Sequence, residues 1–268
     1  MELHWLAAYL LLGAFVGFFA GLLGVGGGAI MVPMLTTLFA AQGFPREHMV
    51  HLALGTSMAA IVVTSISSLR AHHAHGAVRW EIVKGIAPGV LLGTFGGSFV
   101  ASRAPTAPLA LFFASFTAYV AVQMILNKKP KPSRELPGPA GLAAVGGGIG
   151  FISSLVAIGG GSLSVPFMTW CNVKMQHAIG TSAAIGLPIA VAGALGYLIN
   201  GWGTEGLPAW TAGFVYLPAL VLVSAVSSLT APIGARLTHR LPVATLKKVF
   251  AGVLILLSAK MLHTVFGG

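Results

Sequence analysis

The chain has 268 residues, of which 56% are apolar and only 7% charged, where soluble domains carry about 25% charged residues. With a mean hydropathy of +0.90, this composition excludes a soluble globular domain and a disordered chain, and leaves an all-α polytopic protein of the lipid bilayer. Fifteen Lys and Arg stand against five Glu and no Asp, a net charge of +10, but the basic residues fall in short loops, as the positive-inside rule requires, and not on a nucleic-acid surface.

The first residues, Met1 to His4, lack a basic leader, so residues 5–23 read as a retained span. Further apolar segments fall near 29–41, 51–69, 82–101, 108–126, 140–157, 162–172, 177–199, 209–230 and 245–262. A span needs ~20 apolar residues. The second and seventh segments are short, ~20 Å and ~16 Å as helices. Each reads either as a tilted short span or as half of a re-entrant hairpin. Between the fifth and sixth segments, Asn127 to Glu135 is charged and Pro-rich, with Pro137 and Pro139 following. This marks an exposed connector. The predicted organisation is a first transmembrane repeat over 1–126, a cytoplasmic linker over 127–139 and a second repeat over 140–268.

The halves match in three blocks. Gly26-Gly27-Gly28 with Pro33 is echoed by Gly159-Gly160-Gly161 with Pro166. Ala53-Leu-Gly-Thr-Ser57 is echoed by Ala178-Ile-Gly-Thr-Ser182, and Gly97 with Arg103-Ala-Pro105 by Gly234 with Arg240-Leu-Pro242. Placing the linker in the cytoplasm puts Arg70, Arg79, Lys84, Lys174, Lys248 and most other basic residues inside, and leaves Arg46, Arg103 and Lys260 outside. Both termini then lie outside, and the two repeats are inverted.

Three successive glycines interrupt a helix, because each costs ~1 kcal/mol relative to Ala. Broken backbone at membrane depth is tolerated only inside protein or along a wet cavity. A new helix start at Ala29 or Ser162 offers unpaired N–H groups and the positive end of its dipole, a fit for an anion. Short, glycine-interrupted segments in matching positions of two halves point to a transporter site. The candidate substrate-binding residues are therefore Gly26, Gly27, Gly28 and Ala29 at one start and Gly159, Gly160, Gly161 and Ser162 at the other. Thr56, Ser57, Thr181 and Ser182 stand as hydroxyl donors completing the shell, with back-bonding to the preceding helical turn as the competing role. The spaced series Gly13, Gly17, Gly21 and Gly89, Gly93, Gly97 read as helix-packing positions. His72, His73 and His75 read as a surface loop, and neither a metal nor a cofactor is expected.

The blocks around Gly28 and Pro33, Ser57, His72 to Gly76, Gly161 and Pro166, Ser182, Tyr197 to Gly201, and Ala231 to Pro242 together resemble the sulfite exporter TauE/SafE family over roughly residues 8–262. The resemblance implies an inner-membrane carrier of small sulfur-containing anions such as sulfite, sulfoacetate or related organosulfonates, working by alternating access. It leaves the substrate, the direction and any homo-oligomer open. An anion channel is the alternative class, since the same helix starts would select anions without closing. An intramembrane enzyme is disfavoured: without Asp there is no aspartyl dyad, and no Gly-x-Ser-x-Gly elbow occurs. Cation transport lacks a carboxylate within the predicted spans.

Overall fold

The computed structural model describes residues 2–23, 27–126, 133–237 and 243–267. Gly26, Lys128, Lys129, Lys131 and Arg240 lie outside the described residues. The described residues form α1 (Leu3–Leu23), α2 (Gly28–Ala41), α3 (Arg46–Ala74), α4 (Trp80–Arg103) and α5 (Thr106–Leu126). After the connector come α6 (Pro139–Val156), α7 (Gly161–Trp170), α8 (Met175–Asn200), α9 (Leu217–Leu237) and α10 (Val243–Phe266). Eight of these are long and apolar enough to cross a membrane, while α2 and α7 have 14 and 10 residues. The fold is that of a polytopic all-α membrane protein. The predicted ninth segment starts late: residues 211–216 form a two-stranded hairpin instead of a helix, with Thr211 opposite Tyr216 and Ala212 opposite Val215. Left-handed backbone at Trp210 and Gly213 excludes a helix there.

Helix pairing repeats itself when the first five helices are exchanged for the second five. α1 lies along α9 and α6 along α4; α3 packs on α8, and α5 on α10. Glycines set the two closest pairs. A Cβ at Gly21 would collide with the Ala231 carbonyl of α9, and one at Gly89 with the Ala143 carbonyl of α6. The spaced glycines are thus contact positions, where small residues let two backbones meet. Buried side chains such as Leu35, Met58, Phe113 and Ile189 fill the space between pairs, whereas Leu92, Val221 and Leu256 face outward, as a lipid-facing surface requires.

The short helices return toward the side on which their partners begin. The Ser133 and Arg134 N–H groups donate to the Trp170 carbonyl at the end of α7, at 3.2 and 3.3 Å. The end of α7 therefore sits level with the connector that leads into α6. Ten residues rise only ~15 Å, about half of ~30 Å of hydrocarbon, so α7 is too short to cross the apolar layer. On the other unit, Gln42 beyond α2 donates to the Tyr9 hydroxyl of α1. Each short helix thus folds back beside the helix that precedes it.

Candidate functional site

The two glycine breaks meet. Gly28 lies against the Ala157 carbonyl, and Ile61 of α3 reaches both Gly28 and Gly159. The two breaks differ in chemistry. At the first, a Cβ on Gly27 would strike the Val16 side chain, and Gly28, Ala29 and Met31 are all buried. The Gly27 carbonyl accepts the N–H groups of Ile30 and Met31 at 3.2 and 2.9 Å.

At the second break the backbone turns through left-handed conformations at Ala157 and Gly160, φ 46° and 77°. These residues end α6 and start α7 with nothing but backbone as cap. Ser164 Oγ lies 2.9 Å from the Gly160 carbonyl and 2.8 Å from Ser182 Oγ. With one proton on each hydroxyl, Ser164 donates to the carbonyl and Ser182 donates to Ser164. Ser162 Oγ is buried and has no partner among the described residues. Gly186 of α8 sits against the Gly159 carbonyl, with Ser65 beside it. The repeat spacing aligns Ser162 with Ala29 and Ser164 with Met31. One break is therefore lined by hydroxyls and the other by hydrocarbon.

The Gly-Thr-Ser pairs hold the units together. Thr56 Oγ1 accepts the Tyr216 N–H at 2.9 Å, and Thr181 Oγ1 accepts the Arg79 N–H at 3.0 Å. Arg79 and Tyr216 are separated by the same 137 residues as Arg103 and Arg240, so the two bonds are equivalents. The glycine before each threonine admits a carbonyl: Phe214 at Gly55 and Ala77 at Gly180. Each threonine thus accepts an N–H at the start of α9 or α4, one of the donors a helix leaves unpaired. Ser182 joins the second break through Ser164, while the buried Ser57 hydroxyl has no partner among the described residues. Met31, at the position matching Ser164, offers no hydroxyl to Ser57.

Sequence reasoning missed Ser164, whose signal was its spacing of three residues beyond Gly161. It also missed an aromatic cluster and a pocket. On one side Phe39, Phe44 and Tyr216 form an aromatic cluster, with ring centroids 4.9 to 5.6 Å apart. On the connector side a pocket of about 390 Å³ opens among Arg79, Glu135, Cys171, Asn172, Lys174 and His177. Burial pushes the Cys171 thiol above its ordinary range, and the Arg134 guanidinium pulls it partly back. The His72–His75 run ends α3: His73 Nδ1 accepts from the Trp80 indole at 3.3 Å, and His75 Nδ1 meets the Ala71 carbonyl.

Paired helical units around a broken, hydroxyl-lined centre define a polytopic membrane transporter of the broken-helix kind. The family described as "Sulfite exporter TauE/SafE" matches residues 9–261, and the chain belongs to it. A "Probable membrane transporter protein" of Haemophilus influenzae is 39% identical over 255 residues, covering 94% of this chain and 96% of that protein. "Probable membrane transporter protein YdhB" of Bacillus subtilis is 26% identical, covering 90% and 96%. No solved structure matches the chain significantly.

Proposed function

We propose that this transporter carries a small sulfur-containing anion, such as sulfite, sulfoacetate or a related organosulfonate, outward across the inner membrane by alternating access. The observation that carries the reading is the hydroxyl set of Ser162, Ser164 and Ser182 at the start of α7. There the first N–H groups of the helix have no intrahelical acceptor, and the dipole favours negative charge. Gly159, Gly160 and Gly161 let the anion reach those N–H groups. The first break, from Gly27 to Ala29, backs the site as an apolar wall, and Thr56 and Thr181 hold the units that rock around it. The linker lies in the cytoplasm, the two five-helix units are inverted and both termini face outward.

The driving force follows from charge. All five Glu residues are exposed, so no buried carboxylate is present to relay a proton or hold Na⁺, the usual work of intramembrane acids. Moving one charge across 100 mV is worth ~2.3 kcal/mol. A dianion leaving a negative interior gains ~4.6 kcal/mol, which sustains a gradient on the order of a thousandfold.

The test uses proteoliposomes and the residues of the matching break. Ser162→Ala and Ser164→Met each install the counterpart residue. Sulfite and sulfoacetate flux should fall in both variants by about tenfold: Ser162→Ala removes one hydrogen bond to a charged group, and Ser164→Met removes the partner that orients the Ser182 hydroxyl and the Gly160 carbonyl. Unchanged, saturable flux in both would move the site away from α7. Flux that never saturates would make the protein a channel.

A further inference from the structure

The geometry points to a second anion-binding site, a cation-lined vestibule at the connector-side mouth that collects the anion before it reaches α7. The pocket of about 390 Å³ is walled by Arg79, Lys174 and His177, with Glu135 as its one carboxylate. Arg79 is paired with Glu81. Lys174 makes no ion pair among the described residues, and Arg134, over the Trp170 ring at 4.8 Å, adds a further cation beside Cys171. The surplus is therefore positive. With Arg79 set against Glu81 and Lys174 counted against Glu135, Arg134 leaves a net positive field, which favours counter-ions.

The pocket is specific to this mouth. The repeat spacing matches Arg79 with Tyr216, Asn172 with Phe39, Lys174 with Met49 and His177 with Leu52. All four counterparts are buried. The same backbone positions thus build a filled, apolar mouth on one side and an open, cationic one on the other. The open mouth also adjoins the hydroxyl set. His177 precedes Ser182 by five residues on α8, a rise of ~7.5 Å. The Ala77–Arg79 segment lies along the same stretch of α8, held by Thr181 and by the His177 contact to the Ala77 carbonyl at 3.4 Å. Arg79 takes part in both: it lines the pocket, and its N–H bonds Thr181 on α8.

The direction of travel rests on the transport reading, but the pocket's affinity is tested without transport. Val173→Cys and Leu136→Cys, each in a Cys171→Ala background, place one thiol on either wall of the pocket. Purified protein is labelled with two thiosulfonate reagents of similar size, one bearing a sulfonate and one a quaternary ammonium. The sulfonate reagent should react on the order of tenfold faster at both positions. Millimolar sulfoacetate should slow it, and Lys174→Gln should abolish both the preference and the protection. Equal rates for the two reagents overturn the vestibule. So does a preference that sulfoacetate leaves untouched, since that marks a charged surface with no site. Protection in a protein that moves no sulfoacetate keeps the vestibule and removes the transport reading. Flux without protection does the reverse.

Discussion

The Thr181 hydroxyl accepts the backbone N–H of Arg79 at 3.0 Å, joining residues 102 positions apart. Thr56 and Tyr216 make the same bond, 160 positions apart, at the other end of the fold. Each bond runs between units, from the third helix of one to the fourth helix of the other.

Removing either hydroxyl leaves a helix-start N–H without its partner. Thr56→Val and Thr181→Val should each lower stability by about 1–3 kcal/mol, the penalty for an unpaired buried donor. Thr→Ser keeps the acceptor and should recover most of the loss. Thermal unfolding in detergent measures both. Valine variants as stable as the parent would show that the hydroxyls hold nothing.

The glycines divide by what surrounds them. Gly28→Ala drives a methyl into the Ala157 carbonyl, whereas Gly148 has open space. Overpacking costs about 1–3 kcal/mol, while Gly→Ala in an open helix position gains up to about 1 kcal/mol. Gly28→Ala should therefore unfold at lower temperature than the parent, and Gly148→Ala at the same or a higher one. The reverse order would break the close approach of the two breaks.

At the second break, Gly160 has φ 77°, and a Cβ there would meet the Ile189 side chain. Gly160→Val should abolish sulfite and sulfoacetate transport while the protein still reaches the membrane, because a β-branched residue at positive φ is an outlier. Gly27→Val, opposed by Val16, should do the same from the other break. Parental sulfonate binding by both variants would assign the glycines to packing alone.

Orientation has its own test. Thiols at Ser133→Cys and Thr204→Cys in a Cys171→Ala protein, probed on intact cells with an impermeant reagent, should label at 204 and not at 133. The opposite pattern inverts the topology.

Potential should drive the flux. In proteoliposomes under a potassium–valinomycin potential, with no pH gradient, sulfite or sulfoacetate efflux should rise when the interior is made negative. Efflux indifferent to potential but responsive to an imposed proton gradient would replace electrogenic export with proton coupling.

Much of this protein is written in one dimension. Span lengths, the duplicated glycine blocks and the spaced Gly89, Gly93 and Gly97 are legible because lipid leaves the backbone few options and apolar length fixes a helix. A run of glycines alone does not fix a break, since Gly146, Gly147 and Gly148 stay inside α6 while Gly159 and Gly160 part α6 from α7. What the threonines hold was not legible. A Gly-Thr-Ser sequence is the same whether its hydroxyl faces a ligand, its own helical turn or the start of another helix, and only the docking of α3 and α8 beside Tyr216 and Arg79 chose the last for Thr56 and Thr181. Nor did the matching glycine runs disclose that one break is lined by serines and the other sealed by Val16 and Ala157. The repeat made the two look alike, and the difference arises from side chains on other helices. The same holds for Lys174 and Met49: they occupy equivalent backbone positions, and only packing reveals that Met49 is buried while Lys174 opens on a pocket. Local sequence dictates where a membrane helix runs; which glycine run breaks, and what faces the break, is settled by which helices the closed bundle brings together.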